Sequence, residues 1–362
     1  MRQYLQVIRL TEGHALLMYR EQNRLYEVDN LRKYIIRRAE PCLKYLKDTG
    51  RILGKNMKKA AGICAQNAGS ALQDALAKAA GADPDRAGGD SGNHTGIGRR
   101  NYALITGASS GIGLEFARRL SLEGYPLILI ARRRDRLETL RRELGTECLL
   151  LPADLGRRED LIRLCEDLVG RRIDIFINNA GFGVSGPFTG TEISREIDMV
   201  DVNVTAQHVL FKYVLHCMEA EGGGSILNVA SSAGLFPAGP YMAGYYATKA
   251  YMASLTRAVA EELRQAHSPV YVGCLCPGPV NTEFNDVADV SFALPGISPQ
   301  ECVDYALKMM ERRQTVIVPG RDIRAAVIGQ RLIPTALTVR LTAAQQKKKM
   351  AEPGRKPAPE PN

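Results

Sequence analysis

From residue 101 onward, short apolar runs alternate with longer amphipathic stretches, and this alternation restricts the fold more than any other feature of the chain. Stretches such as Gly113–Glu123 and Tyr245–Gln265 have the apolar spacing of helices. The apolar runs between such stretches are Tyr102–Ile105, Pro126–Ala131, Cys148–Pro152, Ile173–Ile177, Gly224–Val229, Val270–Cys276 and Thr315–Val318. Because strands joined by helical crossovers form a parallel sheet covered on both faces, we predict an α/β fold with a doubly wound parallel sheet.

A glycine-rich turn joins the first apolar run to the first helix-like stretch. Its sequence is Thr106-Gly107-Ala108-Ser109-Ser110-Gly111-Ile112-Gly113. Glycines at this spacing allow a tight turn and a close approach of the backbone to a diphosphate, while the free N–H groups that begin the helix face the anion. The pattern indicates a Rossmann-like dinucleotide site. Its predicted contacts are Gly107, Ser109, Ser110, Gly111, Ile112 and Gly113.

The residues after the second apolar run indicate which dinucleotide binds. A site for NAD usually has an acidic residue here for the ribose hydroxyls, whereas an arginine suits the 2′-phosphate of NADP. This chain has Ala131-Arg132-Arg133-Arg134 at that position. We therefore predict NADP rather than NAD, with Arg132 as the phosphate contact. The alternative is a solvated basic helix start, which we expect to describe Arg133 or Arg134.

The segment Tyr245-Tyr246-Ala247-Thr248-Lys249 has the residues best suited to acid–base chemistry. A tyrosine and a lysine four residues apart share one face of a helix. Free tyrosine, with a pKa of about 10, is a poor base at neutral pH. A lysine ammonium at about 4–5 Å from the phenol oxygen lowers that pKa. The sequence therefore predicts Tyr245, with Lys249 beside it, as a general acid/base.

Several motifs agree in their order and spacing: Thr106–Gly113, Asn178–Gly181, Ser232, Tyr245 and Lys249. Together they resemble the classical short-chain dehydrogenase/reductase family, and the resemblance covers roughly residues 101–320. It implies an NADP-dependent oxidoreductase that transfers a hydride between the nicotinamide and a ketone or secondary alcohol.

The resemblance also implies a role for each motif residue. Tyr245 would donate a proton to the carbonyl oxygen, and Lys249 would lower its pKa and bind the nicotinamide ribose. Ser232 would hydrogen-bond the substrate oxygen, and Asn203 would hold a water that links the lysine to solvent. Asp154 would contact the adenine amino group. The other implied cofactor contacts are Asn179, Ala180, Gly181, Pro277, Gly278 and Thr282.

Four of these assignments have competitors within the sequence. Ser231 is the alternative to Ser232, which we prefer because it lies thirteen residues before Tyr245, the usual spacing in the family. Tyr246 competes with Tyr245, but only Tyr245 lies four residues before the lysine. Asn203 also suits helix capping or packing, and Asp154 also suits a turn.

The chain is predicted to extend beyond this domain at both ends. Residues 1–80 indicate a small basic α+β module of unknown role, and residues 81–100 a flexible linker. Residues 101–342 form the dinucleotide-binding domain, and residues 343–362 a disordered, basic, proline-rich tail. The net charge of +9 comes from the two ends. We expect no nucleic-acid partner, because scattered lysines and arginines on helix faces are usually a solvated surface.

The eight cysteines are scattered, lack metal-ligand spacing and follow no secretory signal pattern. They indicate reduced thiols, no metal site and a cytoplasmic protein. The family resemblance implies a homo-oligomer, either a dimer or a tetramer. The apolar, arginine-containing segment Asp322–Leu341 is followed by Lys347-Lys348-Lys349. This pattern is compatible with a membrane surface, but we interpret the segment as docked on the domain or on a second subunit.

The substrate is predicted only by its chemical class. The resemblance implies a mobile lid over Glu283–Pro299, with the apolar residues Phe284, Val287, Val290, Phe292 and Leu294. An apolar lid suggests a hydrophobic ketone or alcohol, although such residues also suit packing against the domain. A second hypothesis is a dinucleotide-sensing or scaffold protein with a partner-binding N-terminal module. The complete Ser, Tyr and Lys set argues against this hypothesis, since a sensor has no need of all three.

Overall fold

A computed structural model of the chain describes residues 5–9, 15–19, 100–284 and 296–350. The chain divides into two compact units, Met1–Ser70 and Ala71–Asn362. In the first unit, strand β1 (Leu5–Arg9) pairs antiparallel with β2 (Ala15–Tyr19). The helices predicted for this unit, the linker, most of the lid and the end of the tail lie outside the described residues.

Within the part of the second unit that the structure describes, seven strands form one parallel sheet. The strands are β3 (Tyr102–Thr106), β4 (Leu127–Ala131), β5 (Cys148–Pro152), β6 (Ile173–Asn178), β7 (Ser225–Val229), β8 (Tyr271–Leu275) and β9 (Val316–Ile317). Their order across the sheet is β5-β4-β3-β6-β7-β8-β9. The predicted doubly wound α/β fold is confirmed.

Helices connect the strands and continue beyond the last one. They are α1 (Gly111–Leu122), α2 (Arg134–Glu143), α3 (Arg158–Asp167), α4 (Ile193–Val200), α5 (Gln207–Ala220), α6 (Ala243–Gln265), α7 (Pro299–Glu311), α8 (Arg321–Gly329) and α9 (Thr335–Met350). A π-helical segment, Asp201–Ala206, joins α4 to α5. Short 3-10 turns occur at Ser232–Leu235 and Gln330–Leu332. None of the helices described here has the length and apolar character that a bilayer span requires.

The sheet is buried on both faces, which explains why its strands are continuous apolar runs rather than alternating ones. Ala103 and Ile105 of β3 pack into the cluster that contains α1, whereas Leu104 packs into the cluster on the opposite face. All five residues of β4 are buried. Each fully buried leucine or isoleucine contributes roughly 1.5–3 kcal/mol to folding, so the sheet is a rigid base for the loops at its edge.

The carboxyl ends of the central strands determine where a ligand site lies. The chain moves outward from β3 to β4 and β5, then crosses back to β6 on the other side of β3. In open α/β sheets, ligands bind at such a reversal of strand order, outside the carboxyl ends of the strands. Here the strands on either side of this point end at Thr106 and Asn178.

Candidate active site

The glycine turn after β3 has the close packing that a diphosphate loop needs. Gly107 and Gly111 have φ angles of +67° and +55°, a conformation that glycine adopts at little cost. A Cβ at Gly107 would lie 2.8 Å from Asn179 Nδ2, and one at Gly113 would overlap the Gly107 carbonyl oxygen. A larger side chain at either position would prevent the start of α1 from packing this closely against the turn.

Thr106 ties the ends of β3 and β6 together. Its Oγ1 accepts hydrogen bonds from the backbone N–H groups of Asn179 (2.9 Å) and Ala180 (3.0 Å). The Asn179 Nδ2 in turn donates to the Thr106 carbonyl oxygen at 3.0 Å. The two loops that follow these strands are therefore held side by side at the edge of the sheet.

A cleft of about 400 Å³ opens above these loops. Most residues predicted from the sequence line it, namely Gly107, Ser109, Ser110, Gly111, Ile112, Arg132, Asp154, Asn179, Ala180, Gly181, Ser232, Tyr245, Lys249, Pro277, Gly278 and Thr282. Gly113 and Asn203 lie behind this wall rather than in it. A glycine turn at one end and a buried tyrosine at the other fit an extended dinucleotide.

The three consecutive arginines face different surroundings. Arg132 and Arg133 line the cleft, and Arg133 Nη2 donates to Ser109 Oγ (3.3 Å) and Ser110 Oγ (3.4 Å) in the glycine turn. The side chain of Arg134 is 75% exposed and lies 3.8 Å from Glu138. Arg134 is therefore the solvated arginine at the helix start, whereas Arg132 and Arg133 lie at the cleft.

Glu283 closes the arginine end of the cleft. Its carboxylate lies 2.7 Å from Arg136 Nη1 and 3.4 Å from Arg133 Nη2. Partial burial raises the pKa of Glu283, but the hydrogen bond from Arg136 and the two arginine charges outweigh it, so the pKa is lowered overall. No sequence motif predicts this contact, because the partners are far apart in the chain.

Asp154 lies both in a turn and in the wall of the cleft. Its Oδ1 accepts from the Gly156 backbone N–H at 3.0 Å, which is a turn contact. Its own N–H donates to Asp160 Oδ2 at 2.9 Å, and the residue also lines the cleft. The turn contact holds Asp154 at the cleft wall, so the two roles are compatible.

Tyr245 lies near the start of α6 with its side chain 8% exposed. Its ring packs against Phe284, with ring centroids 5.4 Å apart. The Ser231 hydroxyl is the neighbouring group whose hydrogen bonding acts to lower the pKa of the Tyr245 phenol. The Ser231 Oγ also accepts from the Ala233 N–H at 3.1 Å, which fixes its orientation.

The serine that acts on the Tyr245 phenol in this structure is therefore Ser231 rather than Ser232. Ser231 has an extended backbone (φ −170°, ψ 159°), whereas Ser232 begins the 3-10 turn, so the two side chains leave the chain in different directions. Ser232 lines the cleft, and its N–H donates to the Pro277 carbonyl at 2.8 Å.

Lys249 is 4% exposed, and its Nζ donates to the Val229 carbonyl oxygen at 3.0 Å. The ammonium lies 5.9 Å from the centroid of the Tyr245 ring. Burial lowers the pKa of Lys249 to about 8. Burial also raises the pKa of Tyr245, and the Ser231 hydrogen bond offsets this only in part. The predicted lowering of the tyrosine pKa is thus not met, because desolvation of the phenol outweighs its polar contacts.

Asn203 lies in the π-helical segment, fully buried. Its Nδ2 donates to the Phe182 carbonyl (2.8 Å) and to Thr248 Oγ1 (3.1 Å), and its Oδ1 accepts from the Phe182 N–H (3.0 Å). A Cβ at Gly181 would lie 2.8 Å from Asn203 Oδ1 and 3.2 Å from Lys249 Nζ. Asn203 therefore positions the segment after β6 beside the lysine, through a contact that requires a glycine.

The C-terminal helices supply part of the wall that sequence motifs did not indicate. Ile323 of α8 and Gln345 and Gln346 of α9 line the cleft. The buried Gln346 donates to the Tyr246 hydroxyl at 3.1 Å. The sequence feature that could have indicated this part of the wall is the row of polar residues on α9. Such a row does not by itself identify a binding role.

Comparison with known proteins identifies the family. Residues 101–289, more than half of the chain, match the family model described as short chain dehydrogenase. This chain belongs to the short-chain dehydrogenase family. It is accordingly an oxidoreductase that acts on carbonyl or CH–OH groups with a nicotinamide dinucleotide. The family domain resembles three named proteins in particular.

The first is the very-long-chain 3-oxoacyl-CoA reductase of Pyrenophora tritici-repentis, 32% identical over 224 residues, which are 59% of this chain and 64% of the relative. The second is a solved short-chain dehydrogenase from Sphingobium yanoikuyae in complex with NADPH. It is 35% identical with a TM-score of 0.59, covering 64% of this chain and 94% of that one. The third is the solved bulky-bulky ketone specific alcohol dehydrogenase from Comamonas testosteroni. It is 32% identical with a TM-score of 0.54, covering 65% of this chain and 93% of that one.

Proposed function

We propose that this short-chain dehydrogenase is an NADP-dependent reductase of hydrophobic ketones. In the reverse direction it catalyses the oxidation of the corresponding secondary alcohols. The observation that carries the proposal is the buried Tyr245 phenol, with Ser231 beside it, in the wall of a cleft whose other end holds the glycine turn and two arginines.

The proton transfer is assigned to Tyr245. The nicotinamide supplies the hydride when it is bound. As the carbonyl carbon gains that hydride, the O–H bond of Tyr245 breaks and its proton moves to the substrate oxygen. The Ser231 hydroxyl holds that oxygen beside the phenol, since its orientation is already fixed by the Ala233 N–H. The Lys249 ammonium stabilises the resulting phenolate and binds the nicotinamide ribose.

The raised pKa of Tyr245 suits reduction more than oxidation. A phenol with a raised pKa is protonated at neutral pH, and the protonated form is the one that reduction consumes. Oxidation of an alcohol needs the phenolate, which becomes more abundant as the pH rises. We therefore expect the ratio of oxidation to reduction rates to increase with pH.

The preference for NADP is supported by the positions of Arg132 and Arg133. Both line the cleft beside the glycine turn, where a 2′-phosphate would form charge-assisted hydrogen bonds. The similar dehydrogenase of Sphingobium yanoikuyae was solved with NADPH, which is consistent with this preference.

The preference for a hydrophobic substrate is supported by the side chains near Tyr245. The cleft wall includes the apolar side chains Phe182, Phe236, Met242, Val280 and Phe284, of which Phe182, Met242 and Phe284 pack in the cluster that contains Tyr245. Two of the similar proteins are named for substrates of this kind, a very-long-chain 3-oxoacyl-CoA and bulky-bulky ketones.

Replacement of Tyr245 by Phe tests the mechanism, with Tyr246→Phe as the matched control. NADPH consumption is followed with a panel of aliphatic and aromatic ketones. We expect Tyr245→Phe to lower kcat/KM by roughly 10²–10⁴ with little change in NADPH binding, because only the proton donor is lost. Tyr246→Phe should keep most of the activity. Comparable turnover by both variants would refute the assignment.

Fluorescence titration with NADPH and NADH tests the cofactor preference. We expect NADPH to bind more tightly, and Arg132→Ala and Arg133→Ala each to weaken it by roughly tenfold, the value of one charge-assisted hydrogen bond. Arg134→Ala is the control and should match the wild type. Tighter binding of NADH would contradict the NADP assignment while leaving the family and fold unaffected.

A further inference from the structure

The C-terminal segment exposes a row of large apolar side chains, here named the C-terminal apolar face. Its members are Ile328 (62% exposed), Leu332 (87%), Ile333 (37%), Leu337 (47%) and Leu341 (55%). They come from α8, the 3-10 turn after it, and α9. Isolated exposed leucines are common on soluble proteins, but consecutive ones on adjoining elements indicate an interaction surface.

Helix α9 is turned so that its polar side faces the domain. Thr338, Thr342 and Gln346 are 5%, 7% and 3% exposed, while Leu337 and Leu341 point outward. The buried side is held by the hydrogen bond from Gln346 to the Tyr246 hydroxyl. An ordinary surface helix buries its apolar residues, so this orientation leaves the leucines available to another partner.

A groove of about 250 Å³ lies at the edge of the same face. Arg257, Arg324 and Arg331 line it together with Ile328, and no acidic residue is among the described residues that line it. Arg324 also packs over the Tyr305 ring, with its guanidinium carbon 5.2 Å from the centroid. Three guanidinium groups around one groove are suited to phosphate.

The charge of the segment has one sign. From Ile323 to Ala351 the sequence holds no acidic residue, whereas it holds three arginines and the run Lys347-Lys348-Lys349. No ion pair among the described residues involves Arg331 or Arg340. An apolar row with a cationic border matches an interface of anionic lipids, whose phosphates attract the cations while the acyl chains receive the apolar side chains.

We propose that the C-terminal apolar face binds the surface of a membrane that contains anionic lipids, with the arginine groove receiving a phosphate headgroup. A second copy of this chain is the less suitable occupant. A twofold interface would place the same surface on both partners, so the unpaired Arg331 and Arg340 of one copy would approach those of the other. The proposal is independent of the proposed activity.

The test is sedimentation of the full chain with lipid vesicles. One set contains phosphatidylcholine alone, and the other contains phosphatidylcholine with phosphatidylglycerol. We expect binding to the anionic set only, weakened by added salt because exposed charges are screened. The double substitution Leu337→Glu and Leu341→Glu should weaken it by about tenfold or more, since two leucines no longer enter the lipid.

Two variants make the test specific. Leu122→Glu is the matched control, because Leu122 is a 79% exposed leucine on α1, outside the proposed face, and it should bind vesicles as the wild type does. Arg331→Gln with Arg257→Gln should reduce binding to anionic vesicles although the leucines are intact. Unchanged NADPH binding in each variant shows that the domain is folded.

Three results would overturn the proposal. The first is the absence of sedimentation with either vesicle set at low salt. The second is binding that the substitutions on the face leave unchanged. The third is a dimer, measured by light scattering, that the Leu337→Glu and Leu341→Glu double variant converts to a monomer without any lipid binding, which would assign the face to a second copy.

Discussion

The environment of Tyr245 shows how burial and hydrogen bonding compete at a single side chain. The phenol is 8% exposed, and losing water disfavours its charged form. The Ser231 hydroxyl opposes this effect, yet the pKa of Tyr245 remains raised. A site with these properties keeps its proton until a substrate oxygen takes it, which is consistent with the proposed direction of reaction.

Substitution of the two neighbouring serines separates their roles. We expect Ser231→Ala to lower kcat by roughly 10²–10³, since it removes a hydrogen bond to the reacting oxygen, as loss of one such donor does elsewhere. Ser232→Ala should retain activity close to that of the wild type. Steady-state kinetics with one ketone decides between them, and the opposite ranking would return the role to Ser232.

Lys249 makes the stability of the protein depend on pH in a predictable direction. Its pKa is lowered by burial to about 8 in the folded protein, against about 10.4 when unfolded. Below pH of about 8 the folded protein keeps a charged lysine buried, which is unfavourable. Between about 8 and 10.4 the unfolded chain binds more protons, so the contribution of Lys249 to the free energy of unfolding rises with pH.

Lys249→Met removes this dependence. At neutral pH we expect the variant to be more stable than the wild type by on the order of 1–3 kcal/mol, because no buried charge remains, while activity is lost. The difference should shrink as the pH rises from about 8 to 10. Urea unfolding of both proteins at several pH values measures it, and a difference that stays constant with pH would contradict the assignment.

At the level of secondary structure, the segment that follows β8 meets the start of α2 across the cleft. Glu283 pairs with Arg136 at 2.7 Å and with Arg133 at 3.4 Å. The carboxylate therefore lies beside a guanidinium that we propose for the 2′-phosphate. Two anions that share one arginine compete for it, so this contact should limit the affinity for NADPH.

Glu283→Gln removes that competition. We expect NADPH to bind roughly two- to fivefold more tightly at low salt, the range of an exposed ion pair, while NADH binding is unchanged. Glu138→Gln is the control, because Glu138 pairs with Arg134 and Arg141 outside the cleft. The gain should diminish at high salt. Weaker NADPH binding in Glu283→Gln would show that the carboxylate supports the arginines rather than competing with the phosphate.

At the scale of the whole molecule, the described residues that line the cleft all belong to the unit Ala71–Asn362. The sheet, the glycine turn and the helices α8 and α9 all lie in this unit. The described lining of the cleft therefore comes from one unit.

Removal of residues 1–70 should consequently leave cofactor binding intact. We expect the dissociation constant for NADPH to stay within about twofold of the full chain, a difference of under 0.5 kcal/mol. Circular dichroism checks that the shortened protein is folded, and titration measures the binding. A large loss of affinity in a folded protein would assign the N-terminal unit a role in the site.

The sequence by itself determined the parallel sheet, the glycine turn and the pairing of Tyr245 with Lys249. These features follow from local spacing, since strand and helix periods and an interval of four residues are properties of short segments. The same locality explains why residues at the carboxyl ends of successive strands were predicted to lie near one another, and residues from these ends line the cleft.

Only the tertiary structure decided which serine faces Tyr245, how its pKa shifts, and which distant residues complete the cleft. The direction of a side chain depends on the backbone angles at the end of β7, and the number of residues in a loop does not specify them. The pKa depends on burial, which comes from elements packed together across the fold. Glu283 and Gln346 reach the site from remote parts of the chain, and such contacts follow from the path of the whole chain rather than from any local pattern.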